Sequence, residues 1–149
     1  MATQRQTLGA AGETLVAQTC ACPRCKRMKT LRRLPPNFKC ADLICDFCGF
    51  LAQVKTSTAT DVNAMPNVVL GAAWGPQRER MEAGIYFPLY LVLINPAQRQ
   101  KAIYYLSADL QSPELFRARK PLGPSARRAG WCGFLYELHT VHNRLVRLG

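Results

Sequence analysis

Acidic side chains are scarce in this chain of 149 residues: nine Asp and Glu stand against twenty Lys and Arg, so the formal net charge is +11 and the pI is about 9.8. So little negative charge argues against a basic partner and for a polyanion, because cations gathered on one face displace counterions from phosphates. The bland alternative is a basic but passive surface. Long apolar runs are also missing. The longest, around Ile85 to Ile94, contains Pro88 and is too short to span a bilayer. The opening MATQRQTLGAAGETLVAQ lacks the basic start, apolar run and small-residue cleavage site of a signal peptide, so the expected compartment is the cytoplasm. There is no internal repeat and no low-complexity segment. Histidine is limited to His139 and His142, and no further ligand accompanies them, so a histidine metal site is not expected.

What is present describes an ordinary globular protein. Apolar residues make up 48% of the chain, and ten prolines and ten glycines cluster between the apolar runs. The length suits one domain, 1–149, with no room for a second. Good helix formers around Leu15, Val16 and Ala17 predict a short N-terminal helix over 11–19 that carries Glu13. A basic strand-like stretch runs from Arg27 to Leu34, followed by strands at Phe38 to Ile44 and Phe50 to Thr56, then a loop from Thr58 to Asn67. Gly75-Pro76 opens a helix over Gln77 to Ala83 that Gly84 stops. Ile85 to Ile94 and Lys101 to Leu106 form a hairpin at the centre of a sheet, turned by Asn95-Pro96. Ser112 and Ser125 read as caps of short helical turns, and Cys132 to Leu138 and Leu145 to Leu148 as closing strands.

Seven cysteines in a reducing compartment point to metal rather than disulfides. Cys22 and Cys25 form one C-x-x-C pair and Cys45 and Cys48 a second, with nineteen residues between the pairs. Two thiolates two residues apart can bite one tetrahedral ion, and two such bites complete its shell, so the spacing predicts a structural zinc ribbon at about 20–50 with no open position for substrate. Cys20, Cys40 and Cys132 do not fit the spacing and read as small buried hydrophobes.

The second knuckle also positions its neighbours. If the strands on either side fold back with Cys45 to Cys48 at the tip, Asp42 lies opposite Gln53, and Lys55, two residues on, shares the face of Gln53. An acid, a second oxygen ligand and a lysine on paired strands suit a metal-dependent phosphodiesterase. The oxygens hold Mg²⁺ against the phosphate and the lysine orients or deprotonates the attacking water. Solvated strand-edge charges are the bland alternative.

The runs GETLVAQTCACPRCK and PPNFKCADLICDFCGFLAQVK, with RKPLGPSARRAGWCG from Arg119 to Gly133, resemble the DpnI-like (Dam-replacing) restriction endonucleases of the PD-(D/E)xK superfamily, with an inserted zinc ribbon. The resemblance implies an α/β (α+β) nuclease core with a mixed central sheet flanked by helices, and double-stranded DNA as substrate. It also implies that Asp42, Gln53 and Lys55 occupy the motif positions, and that Glu13 offers a further carboxylate from the first helix. The family pattern has Glu where this chain has Gln53, which removes one negative charge from the magnesium site. Sixteen residues follow Gly133, too few for the winged-helix domain that reads methylated adenine, so methyl-directed cleavage is in doubt. Arg117, Arg119, Lys120, Arg127 and Arg128 form the densest basic cluster and are the expected DNA-binding residues. Trp131 reads as a core anchor rather than a stacking platform.

Two readings follow. The first is a type II restriction endonuclease with structural Zn²⁺ and catalytic Mg²⁺ that leaves 5′-phosphates. The second is a zinc-ribbon DNA-binding adaptor whose catalysis Gln53 has impaired. Pairing of two chains, and a separate partner that carries the reading domain, both stay open.

Overall fold

The computed structural model of the protein describes residues 3–36, 38 and 41–149. The chain divides into two compact units: the first comprises Met1–Ala64, Phe87–Ala108 and Leu145–Gly149, the second Met65–Tyr86 and Asp109–Arg144.

The first unit opens with helix α1 (Gln4–Thr19), longer than the predicted 11–19 because a capping box starts it early. The Gln6 N–H donates to Thr3 Oγ1 at 3.2 Å, and Gln6 Oε1 accepts from the Thr3 N–H at 2.8 Å. Beside the helix lies a six-stranded sheet in the order β1 (Leu31–Arg33), β2 (Leu43–Cys45), β3 (Leu51–Thr58), β5 (Leu89–Asn95), β6 (Gln100–Leu106) and β9 (Val146–Arg147). Its β3 and β5 run parallel and its other pairs antiparallel, so the sheet is mixed and the expected α+β class holds. The hairpin β5–β6 occupies the middle of the order, as its apolar pattern predicts.

Ala52 and Val54 alternate along β3 with Gln53 and Lys55, and the alternation sorts them by face. The first pair enters a core of Val16, Leu31, Leu43, Tyr90, Val92 and Ile103 together with Cys20, Cys22 and Cys45. Helix α1 docks closely because Gly12 faces Thr56: a Cβ at Gly12 would lie 1.8 Å from Thr56 Oγ1.

Two predicted strands shorten here. The stretch from Arg27 to Leu34 becomes strand only from Leu31, since Lys26 and Lys29 turn the chain with φ of 67° and 61°. The strand expected over Phe38 to Ile44 is ordered as strand from Leu43, and Asn37, Lys39 and Cys40 lie outside the described residues, the reading of Cys40 with them.

The second unit holds a three-stranded antiparallel sheet in the order β4 (Val68–Ala73), β8 (Gly133–Glu137) and β7 (Phe116–Ala118), with helix α2 (Trp74–Glu82) following β4 directly. Phe116, Phe134 and Tyr136 pack ring to ring in its core at 5.1–5.9 Å between centroids. Strands β4 and β7 escape sequence reading. Gly71, Ala72 and Ala73 have weak strand preference, and Gly71 is required because the Phe134 ring would stand 2.3 Å from a Cβ there. Ser112 precedes a single 3-10 turn without a side-chain capping bond, and no helix follows Ser125, whose surroundings are turns between Pro121 and Gly130.

Candidate active site and metal centre

The two knuckles are built alike. In the first, the Lys26 N–H returns to the Cys22 carbonyl at 2.9 Å; in the second, the Gly49 N–H returns to the Cys45 carbonyl at 2.9 Å. Each closing residue is left-handed, Gly49 with φ 79° and Lys26 with φ 67°. The four sulfurs of Cys22, Cys25, Cys45 and Cys48 lie within 4.8 Å of one another, with Cys22 to Cys48 at 3.6 Å and Cys25 to Cys45 at 3.7 Å. Sulfurs placed tetrahedrally about 2.3 Å from one ion would be about 3.8 Å apart, so the set fits a metal such as zinc.

Without metal the thiols differ sharply. Burial pushes Cys22 up to about 12, whereas at Cys45 burial is outweighed by hydrogen bonds from Thr30 and from the Cys48 and Phe47 backbone, leaving it at about 6. Loading the site with metal therefore expels thiol protons and tightens as pH rises. Among the described residues no other group of three or more His, Cys, Asp or Glu has metal-binding geometry. His139 and His142 are exposed, and His139 sits 3.4 Å from the Glu137 carboxylate.

The second knuckle carries its strands onward as the spacing predicts. Leu43 pairs with Ala52 and Ile44 with Leu51, so the next position brings Asp42 against Gln53. There β2 ends, and the Asp42 side chain takes over the ladder, its Oδ2 accepting the Val54 N–H at 2.7 Å while its own N–H donates to Ala52 at 2.9 Å. On its other edge β3 has already engaged β5, with the Gln53 N–H donating to Pro88 at 2.8 Å and Lys55 in register with Leu91. Asp42, Gln53 and Lys55 thus meet where one partner strand stops and another begins.

Helix α1 adds Glu13 to this group. Burial first, and then the Asp42 carboxylate, push the Glu13 carboxyl above its ordinary value, with Arg33 and Lys55 opposing. Burial lowers the Lys55 ammonium below its ordinary value against the pull of Asp42 and Glu13. Two carboxylates and an amine brought together and half-buried beside an amide can hold a divalent cation and handle a proton. The approach of Glu13 depends on the Gly12–Thr56 contact one residue away.

Arg33, absent from the predicted set, belongs here as well, its Nη2 3.6 Å from Glu13 Oε2. Sequence marks it only as one of a basic run, and its place follows from the pairing of Arg33 with Leu43.

The predicted DNA-binding cations lie in the second unit. Arg117, Arg119, Lys120, Arg127 and Arg128 are all exposed. Arg117 pairs with Glu137 at 2.5 Å, and Arg128 stacks on Trp131 at 4.5 Å. The loop that bears them is closed by Leu122 N–H to Trp131 at 2.9 Å and Gly130 N–H to Leu122 at 2.8 Å. Trp131 is half-buried under that guanidinium. Cys20 enters the core as expected, and Cys132 is half-buried with its thiol donating to the Arg119 carbonyl at 2.8 Å.

The fold and these groups define a class: an α+β protein with a four-cysteine knuckle wired by strand pairing to an acid–amide–amine cluster. The family model described as DpnI, Dam-replacing family, matches residues 2–145, nearly the whole chain, and the chain belongs to that family of restriction-type nucleases, whose partner is DNA. No helix among the described residues is long and apolar enough to cross a membrane.

Proposed function

We propose that the protein is a magnesium-dependent, site-specific endonuclease that hydrolyses double-stranded DNA to 5′-phosphate and 3′-hydroxyl ends, working in the cytoplasm as one nuclease domain with the zinc ribbon embedded in it. The observation that carries this reading is a lysine depressed by burial beside two carboxylates, at the point where β2 ends against β3. When bound, Mg²⁺ supplies Lewis acidity at the scissile phosphate. Asp42, the Gln53 carboxamide and Glu13 would hold it. The bond from Asp42 to the Val54 N–H fixes the carboxylate before any ligand arrives.

Lys55, with less cost to losing its proton than an ordinary lysine, orients the attacking water and accepts its proton as the P–O bond forms. The P–O3′ bond breaks, and the departing 3′-oxygen takes a proton from a solvent water. Arg33, already held near Glu13, balances charge at the rim. Arg119, Lys120, Arg127 and Arg128 suit phosphate or guanine edges.

Digestion of adenine-methylated and unmethylated plasmid with Mg²⁺, beside Lys55→Ala, tests the reading and shows whether the methyl group is required. Loss of general acid–base help predicts a rate lower by about 10²-fold to 10⁴-fold in the variant. Equal cutting by the two proteins would trace the activity to a contaminant.

Gln53 in place of an acid favours one rival, a DNA-binding adaptor. Cleavage that appears only in Gln53→Glu would establish that rival.

A further inference from the structure

The first knuckle bears more positive charge than metal binding requires. Between Cys20 and Leu34 the chain has no acidic residue, and Arg24, Lys26, Arg27, Lys29 and Arg32 are all exposed there. Among the described residues, the nearby Asp46 pairs with Arg32 only, at 2.9 Å. Lys26 and Lys29 are left-handed, a backbone that costs a side-chain-bearing residue about 1–2 kcal/mol, and at the position matching Lys26 the twin knuckle has Gly49. Retaining lysines where glycine would be cheaper is local strain of the kind that accompanies function. Beside them Phe47 is 60% exposed, with the Arg27 guanidinium 3.8 Å above its ring, an exposed aromatic–cation pair.

Position makes this patch relevant to the active site. Strand β1 is the open edge of the six-stranded sheet and joins the knuckle to Arg33, which reaches Glu13. Lys29 precedes Arg33 by four residues, at most about 13 Å at strand rise, which is the span of a few nucleotides of a duplex that rises about 3.4 Å per nucleotide along its axis.

We infer that the first zinc knuckle is a DNA clamp: Lys26, Arg27, Lys29 and Arg24 grip the phosphate backbone a few nucleotides from the bond being cut, with Phe47 holding Arg27 in place. This rests on the nuclease reading for where the cut falls. The metal then has a second task, to shape a phosphate-binding edge as well as to align Asp42.

Footprinting of the unaltered protein tests it. The zinc-loaded chain is acetylated lightly with acetic anhydride, free and saturated with a short adenine-methylated duplex, with Ca²⁺ replacing Mg²⁺ to hold back cleavage. Lys26 and Lys29 should lose most of their acetylation on binding. In parallel, Lys26→Asn, Arg27→Gln, Lys29→Asn in one chain should shrink the slope of log affinity against log salt by about 2 to 3. Zinc content and melting are checked against the parent, and asparagine tolerates the left-handed backbone. Undiminished acetylation of both lysines at saturation overturns the clamp while leaving the nuclease reading intact. Should the unaltered protein bind no duplex at any salt, both inferences fall together. If the triple variant misfolds, the footprint alone decides.

Discussion

Glu13 sits where its own charge is disfavoured, because burial and the Asp42 carboxylate outweigh the help of Arg33 and Lys55. Its folded pKa therefore lies above the ordinary 4.5, and the cost of charging it is present at neutral pH and vanishes as pH falls below that value. In the absence of Mg²⁺, Glu13→Gln should melt above the parent at pH 7, with the gap closing towards pH 4.5, while Mg²⁺-dependent cutting falls. A variant less stable than its parent at pH 7 would show that Glu13 is a structural partner of Arg33 rather than a ligand held at a cost. Lys55 behaves in the opposite sense: its folded pKa is depressed, so the protonated form costs stability at neutral pH and the cost is relieved only as pH rises towards 10.5. Two neighbouring groups that both oppose folding at pH 7 are what a site selected for chemistry carries.

Among the elements, α1 and the knuckles decide the geometry. Gly9 and Gly12 lie on the same helix, yet a Cβ at Gly9 meets nothing within 4 Å and one at Gly12 meets Thr56 at 1.8 Å. Gly9→Ala should stabilise the protein by about 0.5–1 kcal/mol through helix propensity. Gly12→Ala should cost about 1–3 kcal/mol by overpacking and should also slow cleavage, since the helix that carries Glu13 must back away from β3. Denaturant midpoints for the two variants check this, and equal shifts would mean that the α1–β3 contact is slack.

The knuckles act on the cluster through the strands β1, β2 and β3 that they join. A structural zinc ion can contribute on the order of 10 kcal/mol of apparent folding free energy, comparable with the stability of a whole small domain. A zinc-selective chelator, or Cys22→Ser, should release one ion per chain and lower the melting temperature steeply, with cleavage lost even when Mg²⁺ is plentiful. An unchanged melting curve after metal removal would reduce the four cysteines to a coincidence of spacing.

For the whole molecule, the excess of cations predicts binding that salt controls. With Ca²⁺ in place of Mg²⁺, affinity for duplex DNA should fall about a thousandfold or more between roughly 50 and 200 mM salt, as expected when six or more phosphates are neutralised. Fluorescence anisotropy over a salt series measures this. A flat response would mean that the charge is spread over a passive surface.

Cysteine spacing, strand alternation and net charge each depend on short separations along the chain, and for that reason they were readable in advance. The two C-x-x-C pairs foretold the sulfur cluster, the fold-back about Cys45 to Cys48 foretold Asp42 against Gln53, and the period of two placed Lys55 beside Gln53. The family motifs agreed with the match over residues 2–145. Tertiary structure alone decided the rest. Arg33 joins the cluster through pairing with a strand ten residues away, and Glu13 through a glycine contact with Thr56. The small-residue strand β4 exists because an aromatic ring lies on Gly71, and the beginning of β1 is trimmed by two left-handed lysines. Each of these depends on a partner distant in the chain or on the shape of a loop closed by four sulfurs, and neither leaves a periodic trace in the residues themselves.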